Sequence, residues 1–388
     1  MSLSAAEAPV SHARKLVWFS EVQWDFLSTR KQRLFARFPA EWQILFVEPY
    51  ALGRKHHWLP VKRGRVWVVT VPFLKTVPFR IGRILEVPFV RAMVAFPGLL
   101  LLHLWFGLLG FASRHRVIGL SNLYWGKIAA SLPALLKVYD ANDDHLAFPG
   151  TPSWLAGYRD AYLAKIRLLF SVSPELTALL DVAPTVRTVA LGNGVDFDHF
   201  SRHREQVPAP LAALQGPLIG YAGAMDWVDT PLLAAVARAW PSFQFVLVGP
   251  AFAHGWWEQQ HELRRLQNVH YFGLVDYAVL PEWIQHFDVA LLPLVADPLK
   301  RVSHPNKLYE YAAAGVPMVA TAYCSAVLRA AGQVHVAEST EAFVRLIPEA
   351  LADRRVTDRQ SFARAHDWNS LAAVMVASLE SLITESAV

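Results

Sequence analysis

The sequence holds a single cysteine, Cys324, so no internal disulfide can staple the chain, and a reducing compartment is expected. Charged residues occupy only 18% of its 388 positions while hydrophobic ones occupy 54%, a balance that excludes disorder and supplies a large core. The opening MSLSAAEAPVSHARK lacks an apolar h-region. No secretory signal is read there, and a cytoplasmic chain is expected. No GxGxxG follows the first apolar run in KLVWFSEVQWDF, which disfavours a dinucleotide oxidoreductase. No nucleic-acid-binding motif is present either.

The charge that is there is unevenly placed. Residues 1–116 carry 17 Lys/Arg against 6 Asp/Glu, whereas the remainder carries 20 against 26. A basic first part facing an anionic surface or acceptor is the expected consequence, with an anionic membrane favoured over nucleic acid.

Short apolar runs alternate with helical stretches, the pattern of α/β folds with parallel sheets. The first series predicts strands at Lys15–Ser20, Gln43–Pro49, Val66–Pro72, Arg116–Ser121, Leu135–Ala141, Leu168–Ser173 and Val186–Leu191. The polar, proline-bearing segment after Asn193–Asp196, through Pro210, reads as an interdomain linker. The second series predicts strands at Pro217–Gly223, Phe243–Gly249, Val269–Gly273, Val289–Leu294 and Val316–Thr321, with helices over Pro231–Ala239, Leu280–His286 and Asn306–Ala314. Two doubly wound parallel-sheet domains are expected at 1–200 and 201–367, with a C-terminal helix over 368–388 packing back toward the first.

Leu85–Ala112 stands apart. Its core, Gly98–Ala112, is interrupted only by His103, but at 15 residues it falls short of the ~20 needed to span a bilayer. Pro97 and Gly98 are expected to break it from the preceding run. A buried helix, an in-plane membrane helix and a spanning helix all remain open, and Arg80, Arg83, Arg91, Arg114 and Arg116 suit anionic head groups.

The most informative stretch is SHPNKLYEYAAAGVPMVAT, Ser303–Thr321. Pro305 reads as the first helical position and Gly315 as the stop before an apolar strand. Lys307 and Glu310 lie three apart and share a helix face. The helix N-terminus around Ser303, His304 and Asn306 offers unpaired N–H groups to phosphate, Lys307 adds a cation, and a carboxylate at Glu310 can accept from two vicinal sugar hydroxyls. The site suits a nucleotide diphosphate. The bland alternative is an exposed i,i+3 ion pair. Tyr309 and Tyr311 read as packing residues.

This stretch resembles the donor motif of glycosyltransferases with the two-Rossmann GT-B fold, particularly the family 4-like, or glycosyl transferases group 1, enzymes. LFVEP, KVYDANDDHLAF, SVSPELTALL, GNGVD, IGYAGAMDW and VHYFGLVDYAVLPEWIQHFDVALLPL match in the expected order. The resemblance implies two domains facing a cleft, a nucleotide-sugar donor on the C-terminal half, a saccharide or polyprenyl-linked acceptor on the N-terminal half, and no metal or other cofactor. It implies cell-envelope or exopolysaccharide synthesis, in the cytoplasm or on the inner face of the plasma membrane. Glu310 matches the ribose-binding carboxylate, and Gly223 allows backbone to approach phosphate. Asp226 and Trp227 stand where many relatives carry a basic residue, and Phe252 is a candidate for base stacking.

Asp140, Asp143, Asp144 and His145 follow a strand end, where open α/β sheets place ligands. VYDANDD resembles the segment of xanthan-type glucuronosyltransferases whose aspartate is the proposed base, which makes Asp143 the candidate base here. Asp144, Glu21 and Asp226 rank behind it as cleft residues, and turn formation by Asn142–Asp144 is the competing reading. A metal site at Asp143–His145 is disfavoured. Val302 stands where retaining relatives typically carry a first glutamate, which tells against retention, and the candidate base Asp143 favours inversion. A non-hydrolysing nucleotide-sugar epimerase and a catalytically degenerate binding subunit are the alternatives.

Overall fold

The computed structural model describes residues 14–26, 29–51, 53–74, 79–297 and 301–387. Residues 1–13, read above for a leader, and the Arg80 side chain lie outside the described residues. The chain divides into two compact units, one of Met1–Leu191 with Ala372–Val388 and the other of Gly192–Leu371.

In the first unit the strands are β1 (Arg14–Phe19), β2 (Trp42–Pro49), β3 (Val61–Arg63), β4 (Val66–Val71), β5 (Arg116–Leu120), β6 (Leu136–Ala141), β7 (Leu168–Ser171) and β8 (Arg187–Ala190). They form one sheet in the order β3-β4-β2-β1-β5-β6-β7-β8, parallel except for the β3–β4 edge pair. Central strands such as β1 and β5 are buried almost throughout, as helix-covered parallel sheets require. The order reverses between β1 and β5, which pair directly. From Ala372 onward the C-terminal helix (Trp368–Ala387) counts with this unit, where Glu380 pairs with Arg14 and Glu385 with Arg187 at 2.8 Å.

The second unit carries β9 (Leu218–Ala222), β10 (Gln244–Val248), β11 (Val269–Tyr271), β12 (Val289–Leu292), β13 (Met318–Thr321) and β14 (His335–Ala337). The order β11-β10-β9-β12-β13-β14 is all parallel, the 3-2-1-4-5-6 arrangement of a Rossmann sheet with its reversal between β9 and β12. Side-chain caps start two of its helices: Asp229 accepts from the Leu232 amide at 3.0 Å, and Ser339 accepts from the Ala342 amide at 3.1 Å.

The segment read as a linker is instead packed onto this unit. Phe197, Phe200 and Leu211 bury themselves in its core, which a free linker could not do. Where the chain enters and leaves this unit, Val195 and Asp367 form a parallel bridge. The Val195 amide donates to His366 O and the Trp368 amide to Val195 O, both at 3.0 Å.

A second correction concerns Pro97. The helix Pro88–Leu108 runs straight through it. Pro97 forfeits the bond to the Met93 carbonyl, but both residues sit on the exposed side, where water can satisfy that oxygen. On the other side Gly98 meets the sheet so closely that a Cβ would overlap the Pro72 carbonyl oxygen. Close packing of the helix outweighs the local breaker signal.

Candidate functional site

Both strand-order reversals carry polar residues at the carboxyl ends of the strands. In the first unit, Glu21 follows β1 and Ser121 follows β5, and the Ser121 hydroxyl donates to Glu21 Oε2 at 2.6 Å. The buried Lys31 ammonium pairs with the other carboxylate oxygen. Burial alone would raise the Glu21 pKa, but the Lys31 and His145 charges and the hydrogen bonds from Lys31 and Ser121 outweigh it and bring the carboxyl down to about 2. Asn122 donates to Ser20 O at 2.9 Å, fixing the loop.

β6 delivers the aspartates, and the structure separates their roles. Asp140 is wholly buried and held by Arg30, with Nη2 3.1 Å from Oδ1, while the same guanidinium donates to Leu191 O at 2.7 Å. It is an internal ion pair rather than a cleft residue. Asp144 accepts from the Leu146 amide at 3.2 Å and builds the turn; it does not line the cavity. Asp143 does line it. A cavity of about 430 Å³ is bounded by Asp143, Glu21, Ser121, Tyr124 and His145 among others. Asp143 Oδ1 accepts from the Asp144 amide at 3.1 Å, and His145 Nε2 lies 3.4 Å from Asn142 Oδ1. Burial raises the pKa of the Tyr124 hydroxyl. Lys31, Ser121 and Tyr124 were not found from sequence, though Ser121 and Asn122 directly after an apolar strand carried a usable signal.

In the second unit the Asn306–Ala313 helix starts beside the end of β9. Pro305 takes the N-cap, one position before the one expected, so Asn306 and Lys307 open the first turn. The Gly315 amide bonds to Ala312 O and the Val316 amide to Tyr311 O, each at 3.0 Å, with Gly315 at φ +76°. This Schellman closure is what the glycine stop predicted. Inside the helix, the buried Tyr311 hydroxyl accepts from the Ala222 amide at 2.8 Å and donates to Ala222 O at 3.3 Å. That pair fixes the helix against the strand end.

Lys307 lies across Gly223, the residue after β9. A Cβ built on Gly223 would overlap Lys307 Cε and sit 2.8 Å from Nζ. Among the described residues Lys307 has no hydrogen bond or ion pair, so the i,i+3 pair with Glu310 is not formed. Asn306 Oδ1 is buried with no partner among the described residues. Both groups stand half-buried beside the helix N-terminus with polar capacity to spare.

Other motif residues serve the framework. His304 Nδ1 accepts from the Asn193 amide at 3.0 Å, and its Nε2 lies 3.1 Å from the Tyr309 hydroxyl. The ring is thus a brace between two segments. Ser303 hydrogen-bonds the Cys324 thiol, whose pKa burial raises. Asp226 spends its two oxygens on the Phe252 and Ala253 amides, at 2.9 and 2.8 Å. It shapes the loop that leaves Phe252 exposed. Val302 is buried. Among the described residues no group of three or more His, Cys, Asp or Glu could hold a metal ion.

Two Rossmann-like units, each with polar residues at its strand reversal, define the GT-B class of fold. The solved structures agree with that. Sucrose-phosphate synthase from Thermosynechococcus elongatus superposes with a TM-score of 0.71, covering 96% of this chain and 100% of its own, at 14% identity. An E. coli trehalose-6-phosphate structure bound with UDP-2-fluoro glucose gives 0.70 over 94% and 98%, at 13% identity. Anabaena Alr3699/HepE in complex with UDP gives 0.66 over 95% and 100%, at 16% identity. At these identities the likeness shows the fold.

Residues 216–353 match the family model for glycosyl transferases group 1. TuaH of Bacillus subtilis strain 168, a proposed teichuronic acid biosynthesis glycosyltransferase, is 28% identical over 210 residues. That alignment covers 52% of this chain and 51% of TuaH, so the match spans about half the length of the curated relative.

Proposed function

We propose that the protein transfers a sugar from a nucleotide diphosphate sugar to a hydroxyl of a saccharide acceptor. The observation that carries this reading is the unpaired Lys307 laid over Gly223 at the start of the Asn306–Ala313 helix, one turn before Glu310. The helix N-terminus and the ammonium favour a diphosphate, and the Glu310 carboxylate suits vicinal ribose hydroxyls. Relatives solved with UDP or UDP-2-fluoro glucose make a UDP-sugar the first donor to test.

In this reading the second unit holds the donor and the first supplies the acceptor and the base. The acceptor oxygen attacks the anomeric carbon, the bond from that carbon to the phosphate oxygen breaks, and the diphosphate leaves with the electron pair. The acceptor proton passes to Asp143, which lines the cavity. A dedicated base of this kind corresponds to inversion at the anomeric carbon. The reading uses no resident metal or cofactor. The TuaH likeness supports a role in polymer synthesis. In this reading the acceptor is a cell-envelope polymer, free or polyprenyl-linked, and transfer takes place in the cytoplasm at the inner face of the plasma membrane.

Calorimetric titration with UDP and UDP-sugars tests the donor site. Glu310→Ala is expected to weaken binding about tenfold or more, because a charge-assisted hydrogen bond is worth roughly 1.5–3 kcal/mol. Unaltered affinity in a folded Glu310→Ala chain would remove this site.

A further inference from the structure

The Pro88–Leu108 helix of the first unit has two apolar faces, and only one of them is used. Ala95, Gly98, Leu102, Trp105 and Phe106 are buried against the unit. Phe89, Met93, Phe96, Leu100, Leu104 and Leu108 are all more than half exposed. Their spacing of three and four residues sets them on a single stripe opposite the buried face, over roughly 28 Å at 1.5 Å per residue. Six large exposed apolar side chains in one row are more than the scattered exposure of an ordinary surface.

We propose that this stripe seats the protein in the plane of an anionic lipid bilayer. Charge decides the occupant. From residue 79 to residue 116 the sequence carries Arg80, Arg83, Arg91, Arg114 and Arg116 against one acid, Glu86. Arg116 is buried, with its guanidinium on Phe111 O, and so drops out of the set expected to meet head groups. Arg83 before the helix and Arg114 after it are exposed, with His103 and His115. Past the helix end the Lys15 ammonium is drawn to Gly110 O, placing a further cation beside that terminus. Apolar residues flanked by cations at both ends are the composition of an interfacial helix.

The same packing argues against spanning. The helix is long and apolar enough to cross a membrane, with a mean hydropathy of 1.7. Crossing would strip Leu102, Trp105 and Phe106 from the unit and pull Gly98 off the Pro72 carbonyl that its missing side chain admits. Lying in the plane leaves every one of these contacts intact. This inference does not rest on the glycosyl-transfer reading, and its test does not use donor or acceptor.

Flotation of the full chain with phosphatidylcholine vesicles, with and without phosphatidylglycerol, tests it. The wild-type chain is expected to float with the anionic vesicles and to be released by high salt. Phe96→Ser with Leu100→Ser is expected to cut partitioning about tenfold or more. Arg83→Glu with Arg114→Glu is expected to abolish the preference for anionic vesicles. An unchanged circular dichroism melt shows that each variant still folds. The inference is overturned if the wild-type chain stays in solution, or if the serine variant floats as well as wild type. Retention through high salt and alkaline extraction would mark a spanning helix. A dimer lost in the serine variant without any flotation would mark a second copy as the occupant.

Discussion

Lys307 and Gly223 occupy neighbouring volumes: the lysine stem fills the place where a side chain on residue 223 would be. Gly223→Ala therefore displaces a flexible side chain and the Tyr221 hydroxyl, not backbone. The expected outcome is a melting temperature close to wild type with nucleotide affinity reduced about tenfold, read by calorimetry. A large loss of stability with intact affinity would contradict it.

Two aspartates three positions apart should respond oppositely. Asp143→Asn is expected to keep donor affinity and lose turnover by roughly 10²–10⁴-fold, the usual worth of general base catalysis. Asp140→Asn leaves Arg30 buried without its carboxylate, and a destabilisation of about 3–5 kcal/mol is expected in urea unfolding.

Glu21 should govern stability in acid. Its carboxyl falls from the ordinary 4.5 to about 2, because Lys31, His145 and Ser121 together outweigh burial. A lowered folded-state pKa gives a stabilisation fully present above about pH 4.5 and lost as pH falls through about 2. Glu21→Gln is expected to lower stability at neutral pH by stranding Lys31, and to flatten the acid limb of a urea-midpoint series. An acid limb as steep as wild type would remove Glu21 as its source.

Removing one oxygen tests the anchor of the Asn306–Ala313 helix. Tyr311→Phe leaves the buried Ala222 amide without its acceptor, and about 1–3 kcal/mol of stability should go with it. Donor affinity should fall in the same variant, since the Asn306–Ala313 helix loses its tie to β9.

The strands were legible because parallel sheets bury both faces and write continuous apolar runs. The Asn306–Ala313 helix was legible because Gly315 marks its end. Val61–Arg63 and His335–Ala337 escaped notice, since three residues carry no period. Strand order, which sets Glu21 beside Ser121 and β9 beside β12, depends on crossovers that no local pattern encodes. Pro97 misled because its lost hydrogen bond faces water, and the 197–210 segment misled because two phenylalanines outweigh its prolines. Asp144 and Asp226 looked like ligands because a carboxylate in a loop reads the same whether it meets substrate or a backbone amide.

The Val195–Asp367 bridge has a practical meaning for the chain as a polymer. Residues 192–371 enter and leave their sheet at one fastened point, with their own closed core. Genetically, that stretch is a cassette: it is expected to fold as a single fragment whose two ends are already tied together.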